Sequence, residues 1–130
     1  MIVLDSHVLA WLTLEPRKLS RPAAAAIRIS REKGESSAIS AGTLYEFALM
    51  IARNRIGTKL PIAELIKEVA ANFVILPLTP EIALAAAKMP DGFPRDPFDQ
   101  IIAATAIVHG TPLVTADGPI RRSGAVATNW

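Results

Sequence analysis

The stretch RDPFDQIIAATAIVHGTPLVTAD, residues 95–117, contains one complete structural transition. Its first half reads as a helix. Asp96 is a natural N-cap, and Pro97 fills the first helical position, where a missing N–H costs nothing. Asp99 falls in the first turn, where the helix dipole favours a carboxylate. Gly110 and Pro112 end the helical run, and PLVTAD follows as a short apolar strand with Asp117 just beyond it. A helix that delivers the chain into a short, wholly apolar strand is the repeating unit of a parallel sheet.

The same alternation holds in both directions along the chain. MIVLD reads as a buried strand ending at Asp5, and SHVLAWLTL continues with helical spacing. SRPAAAAIRISREK is a helix with Ser20 as cap and Gly34 past its end; SSAIS is a second strand. GTLYEFALMIARNRIG reads as an amphipathic helix closed by Gly57, and LPIAELIKEVAANF as another opened by Pro61. FVILPL is a third strand, TPEIALAAAKMP a helix capped by Thr79, and AVATNW a weak fifth strand. The expected fold is α/β: a central parallel sheet of four to five strands with helices on both faces, in one domain over residues 1–130. The alanine-rich faces of RPAAAAI and EIALAAAKM suit close helix packing, as part of an ordinary core or against a neighbour.

Composition narrows the function classes. With 51% hydrophobic residues in 130, some apolar surface is expected to cover an interface. The net charge of +2 permits nucleic-acid binding without demanding it. The absence of cysteine excludes disulfides and thiolate metal sites. The N-terminus has no basic region ahead of its apolar run, and the longest uncharged stretch is broken by Gly110 and Pro112, so a soluble cytoplasmic protein is expected, with no membrane contact.

Four acids have related addresses. Asp5 ends the first strand and Asp117 follows the fourth. Glu46 is expected in the first turn of the helix after the second strand, and Asp99 in the first turn of the helix that precedes the fourth. Each has a local explanation: strand end, turn residue, helix-start carboxylate or, for Glu46, a capping box with Thr43. Ligands of open parallel sheets sit at the carboxyl ends of the strands; Asp5, Glu46 and Asp117 belong to that edge, and Asp99 joins them if its helix starts there after the chain crosses the sheet. Clustered carboxylates share protons or bind a cation. An all-oxygen donor set suits Mg²⁺, or Mn²⁺, and such ions assist hydrolysis of phosphodiesters. His7 and His109 read as structural.

MIVLDSHVLAWL, SAISAGTLYEFAL, RDPFDQIIAATAIVHGTPLVTAD and the terminal NW together resemble PIN-domain proteins of the VapC toxin type, from Met1 to Trp130. The resemblance implies a three-layer PIN fold and a metal-dependent endoribonuclease, held inactive by a VapB-type antitoxin and usually a homodimer, with operator DNA reached only through the antitoxin. It maps the acidic set onto Asp5, Glu46, Asp99 and Asp117, with Asp96, Ser6 and Thr115 as accessory groups. Ser6 stands where the family often has Thr and keeps the hydroxyl. Cleavage would leave a 5′-phosphate and a 3′-hydroxyl.

An acidic centre needs basic flanks to hold RNA. Arg53, Arg55, Lys59, Arg95, Arg121 and Arg122 are the candidates, for RNA or for an acidic antitoxin segment, against the plain alternative of solvated surface charge. Rival folds fit less well. A phosphoacceptor receiver wants an acid pair at the first strand and a lysine after the last. A phosphatase wants an acid where His7 stands. A dinucleotide site wants glycines that DSHVLAW lacks. The remaining alternative is a catalytically silent PIN-fold protein serving as an antitoxin-binding or operator co-repressor module.

Overall fold

The computed structural model describes residues 1–54 and 56–130. Arg55, one of the proposed RNA contacts, lies outside the described residues. The elements run β1 (Ile2–Leu4), α1 (Ser6–Leu14), a 3-10 turn (Pro16–Lys18), α2 (Arg21–Glu32), β2 (Ser37–Ser40), α3 (Ala41–Ala52), α4 (Ile62–Asn72), β3 (Val74–Leu76), α5 (Pro80–Ala87), α6 (Pro97–Val108), β4 (Leu113–Val114), α7 (Gly118–Ser123) and β5 (Thr128–Asn129). The five strands form one sheet in the order β3-β2-β1-β4-β5, every pairing parallel.

Strand alternation divides the core. Ile2, Leu4, Ile39 and Val114 face Leu9, Phe47 and Leu65 of α1, α3 and α4, while Val3, Ala38 and Leu113 face Ile102 and Ala106 of α6 and Ile120 of α7. This gives the expected three layers. The alanine-rich α5 packs on α6 through Ile82, Ala86 and Ala104, so its small residues serve close helix contact. The chain winds from β1 to β2 and β3 on one side, then crosses back to β4 and β5 on the other. The switch point therefore falls between β1 and β4, where ligands of such sheets bind.

Three local expectations are corrected. The cap of α3 is Ser40, whose hydroxyl accepts from the Gly42 N–H at 3.0 Å. No Thr43–Glu46 capping box forms: Thr43 is buried and donates to the Leu4 carbonyl at 3.4 Å, and Glu46 lies in the second turn. Helix α3 ends at Ala52 rather than at Gly57, because Asn54 takes the left-handed conformation (φ 55°) that tolerates Asn. Residues 118–123 form a helix that had read as a turn: Asp117 caps it by accepting from Ile120 N–H at 2.9 Å. Gly42 matters for packing, since a Cβ there would meet Ile101 Cγ2 at 3.4 Å and Phe98 Cδ1 at 3.6 Å. Its bare backbone lets the start of α6 approach α3.

Ser40→Ala is expected to cost about 1 kcal/mol by loss of the cap, measured by chemical denaturation. Glu46→Ala should bring no such loss, because Glu46 accepts no backbone hydrogen bond among the described residues. A capping box would reverse that ranking.

Candidate functional site

The site forms where β1 and β4 end. Asp5 is buried, 5% exposed, and caps α1. Its Oδ1 accepts from the Ser6 N–H at 2.7 Å, and its Oδ2 accepts from the Thr115 hydroxyl. The Thr115 oxygen in turn accepts from the Asp117 N–H at 3.0 Å. One buried hydroxyl thus links the Asp5 carboxylate to the backbone of Asp117 across the switch point. The Asp5 N–H donates to the Val114 carbonyl at 3.0 Å, which fixes the same register from the backbone side.

Asp96 and Asp99 divide their duties. Asp96 is exposed and caps α6, its Oδ1 accepting from Phe98 N–H at 2.8 Å and Asp99 N–H at 3.4 Å. Asp99 is half-buried in the first turn, with its side chain free of backbone duties among the described residues. Its pKa is raised from 3.8 to about 7, first by burial and then by repulsion from Asp5, Asp96, Asp117 and Glu46. Burial also raises Asp5; Thr115, the Ser6 N–H and His7 pull it back, while Asp117 repels it. Glu46 is raised by burial and by Asp5 and Asp96, and lowered by the nearby Ser6 hydroxyl and His7. Mutual repulsion of this kind places Asp5, Glu46, Asp96, Asp99 and Asp117 around one centre.

Among the described residues, no three acidic or histidine side chains close to metal-ligating geometry. Both Asp5 oxygens and Asp117 Oδ1 accept hydrogen bonds from protein donors. A different observation bears on fit. Ser6 Oγ is buried beside Asp5 and Glu46, and its hydroxyl lies close enough to the Glu46 carboxylate to lower its pKa. The donors at this edge are carboxylate and hydroxyl oxygens, the chemistry that suits a hydrated hard cation, so the donor set fits one.

His7 departs from expectation. It lies on α1, as the helical spacing of SHVLAWLTL expects, but is exposed beside the acids rather than built into the core. Its ring meets Trp11 one turn on, with centroids 5.8 Å apart, and Trp11 meets Trp130 at 5.5 Å. Sequence reasoning passed over Trp11; the i, i+4 spacing from His7 was the available signal. Both residues line a cleft of about 450 Å³ between α1 and α3 that reaches Glu46 and Asp96. His109 is the exposed C-cap of α6, away from the site. Of the basic candidates, Arg53 lines the cleft. Lys59 and Arg95 are exposed, and Arg95 borders a separate hollow with Gln100 and Asp91. Arg121 and Arg122 end α7, and the Arg122 guanidinium folds over Gly118.

Fold and site together define a parallel α/β domain with an acidic centre at its switch point. Residues 2–125 match the PIN domain family. Ribonuclease VapC22 of Mycobacterium tuberculosis (strain ATCC 25618 / H37Rv) is 37% identical over 120 residues, covering 92% of this chain and 89% of that protein. The structure is similar to a chain of VapBC2 from Rickettsia felis bound to a DNA fragment from its promoter, with a TM-score of 0.75, 16% identity and coverage of 98% and 97% of the two chains. DNA-bound VapBC from Salmonella typhimurium gives a TM-score of 0.71, 18% identity and coverage of 98% and 95%. The chain belongs to the PIN-domain family and, within it, to the VapC group. No helix among the described residues is long and apolar enough to cross a membrane.

The raised pKa of Asp99 has a signed consequence. Its folded-state value lies above its ordinary 3.8, so the folded protein binds the extra proton between about pH 4 and pH 7. The contribution of this group to stability is complete below that window and is lost as pH rises through about 7. In cation-free buffer, Asp99→Asn should therefore raise Tm more at pH 8 than at pH 5. A pH-independent difference would show that Asp99 is not under repulsion.

Proposed function

We propose that the protein is a metal-dependent endoribonuclease, the toxin of a toxin–antitoxin pair. The observation that carries this reading is the gathering of Asp5, Glu46, Asp99 and Asp117 near the switch point, where Asp99 is raised to about 7, first by burial and then by repulsion from the other acids. The 37% identity to a ribonuclease of the VapC group supports the substrate class. Asp5 and Asp99 would hold a divalent cation, Mg²⁺ or Mn²⁺, with Glu46 and Asp117 completing the acidic set. Such a cation supplies charge neutralisation at the scissile phosphate and lowers the pKa of bound water.

The chain's own residues prepare that chemistry. Thr115 and the Ser6 N–H hold the Asp5 carboxylate in one orientation. The Asp96 cap fixes the first turn of α6 and with it the direction of Asp99. Glu46, partly desolvated, is placed to accept a proton from an attacking water, because its raised pKa makes it a better base than an ordinary carboxylate. Asp117, held by its backbone to Thr115 and by its side chain to α7, sets the far wall. Asp96, Ser6 and Thr115 are positioning groups in this scheme.

A VapB-type antitoxin as partner is supported by the VapBC assemblies among similar folds. A homodimer is supported by apolar side chains left in solvent, notably Tyr45 and Leu84, each 57% exposed. We place the protein in the cytoplasm, with operator DNA reached only through the antitoxin. Arg53, Lys59, Arg95, Arg121 and Arg122 are proposed to meet RNA phosphates; a shallower salt dependence of binding in each Ala variant would identify those that do.

The test is cleavage of mixed cellular RNA with Mg²⁺, with EDTA, and by Asp5→Asn and Asp99→Asn. The expected result is metal-dependent cutting that leaves 5′-phosphate and 3′-hydroxyl ends and falls by at least about a hundredfold in either variant. Ends carrying a 2′,3′-cyclic phosphate would overturn the mechanism, since they require attack by the RNA's own 2′-hydroxyl. A folded, Mg²⁺-supplied protein that binds antitoxin but cuts no RNA would favour the binding-module reading.

A further inference from the structure

The cleft between α1 and α3 has features the acidic centre does not use. Its volume of about 450 Å³ falls within the range of ligand clefts, roughly 300–1,000 Å³. Trp11 lines it from α1, with Leu49, Met50 and Arg53 from α3. Glu46 belongs both to the cleft and to the acidic centre, so the two are continuous. Arg53 is exposed at the rim and makes no ion pair among the described residues. We propose that this cleft is a nucleobase subsite: it receives one unpaired base of the RNA beside the scissile phosphate, packed on Trp11, with Arg53 on a flanking phosphate. This inference rests on the ribonuclease reading for what lies next door, but base binding itself does not require cleavage.

The chemistry favours a base over an apolar chain. An indole supplies a flat face that any base can use, and single-stranded recognition works by such stacking. The cleft carries an aromatic wall, an aliphatic one and Arg53 at its rim; Lys18 and Glu15 line it as an ion pair at 3.0 Å, and Glu46 and Asp96 mark the end that meets the acidic centre. His7 and Trp11 already touch, with centroids 5.8 Å apart and rings tilted by 52°, so a base has no room between them. It lies instead on the cleft side of Trp11, adding to the row His7–Trp11–Trp130. A duplex could not enter, because its bases are stacked and their faces hidden.

Indole fluorescence reports stacking directly. In Trp130→Phe, Trp11 is the only tryptophan left, since the chain has two. With Asp99→Asn added to prevent cutting, oligoadenylate should quench this emission saturably, while inorganic polyphosphate, charged but baseless, should not. In the otherwise unchanged enzyme, Trp11→Ala should raise KM for a fluorogenic RNA roughly tenfold with kcat largely kept, and Trp11→Phe should restore most of the loss. Quenching without any RNA cleavage by the unmodified protein would uphold the subsite and refute the nuclease reading. Cleavage with no quenching and an unchanged KM in Trp11→Ala would overturn the subsite and leave the cleft to a protein partner. Equal quenching by polyphosphate would also overturn it, since backbone charge alone would then explain binding.

Discussion

A single hydroxyl holds the switch point together. Thr115 donates to one oxygen of Asp5 and accepts from the backbone of Asp117, so β1 and β4 are joined by a side chain where their own ladder ends. Both Thr115 and Asp5 are buried. A carboxylate desolvated to that degree survives only when its oxygens are engaged, and here both are. The β1–β4 register aligns Leu4 with Val114, which sets Asp5 beside Thr115 one residue later. The position of the most buried acid therefore follows from strand pairing, and the other acids are placed relative to it.

The remaining carboxylates are held in a conflict that folding alone does not resolve. Asp99, Glu46 and Asp5 are all raised by burial first and then by neighbouring acids: Asp5, Asp96, Asp117 and Glu46 on Asp99, Asp5 and Asp96 on Glu46, and Asp117 on Asp5. The surrounding packing keeps them close despite that cost: Gly42 admits Phe98 and Ile101 against α3, and Tyr45 packs on Phe98 with ring centroids 5.8 Å apart. Strain of this kind at one edge of an otherwise satisfied core is expected where a site awaits a ligand of opposite charge.

The parts legible in the sequence were those set by strong local signals. Short β-branched runs such as IVL and SAIS marked strands, and Asp96–Pro97 marked the start of α6 to the residue. The parts that were not legible depended on tertiary choice. Ser40 and Thr43 are both competent caps; the chain uses Ser40 because the fold needs the Thr43 hydroxyl on the Leu4 carbonyl. Gly57 looked like the end of α3, but Asn54 reached the left-handed region first. TADGP has turn composition, and only the apolar pocket filled by Ile120 turns it into a helix. His7 read as structural, but the start of α1 at the Asp5 cap leaves it exposed beside the acids. The addresses of Asp5, Asp96, Asp99 and Asp117 were readable because each sits at or just inside an element boundary, whereas Glu46 was read one turn too early, through a capping box that does not form.

The boundaries also explain how so acidic a centre folds. Asp5, Asp96 and Asp117 are the N-caps of α1, α6 and α7, and α3 begins beside them at Ser40. Each helix N-terminus carries a partial positive charge of about half a unit and unsatisfied N–H groups. The acids therefore sit against the positive ends of the helices they start, and each gains hydrogen bonds that an isolated carboxylate would lack. Asp99 gains least: it lies one turn in, caps nothing, and meets the repulsion of the others without a donor of its own. That difference separates the acids that cap helices, Asp5, Asp96 and Asp117, from Asp99 and Glu46, which cap none. It also accounts for the division between Asp96 and Asp99, three residues apart on one helix: the first satisfies the backbone, and in doing so holds the second in the first turn, where burial and the neighbouring acids raise its pKa to about 7.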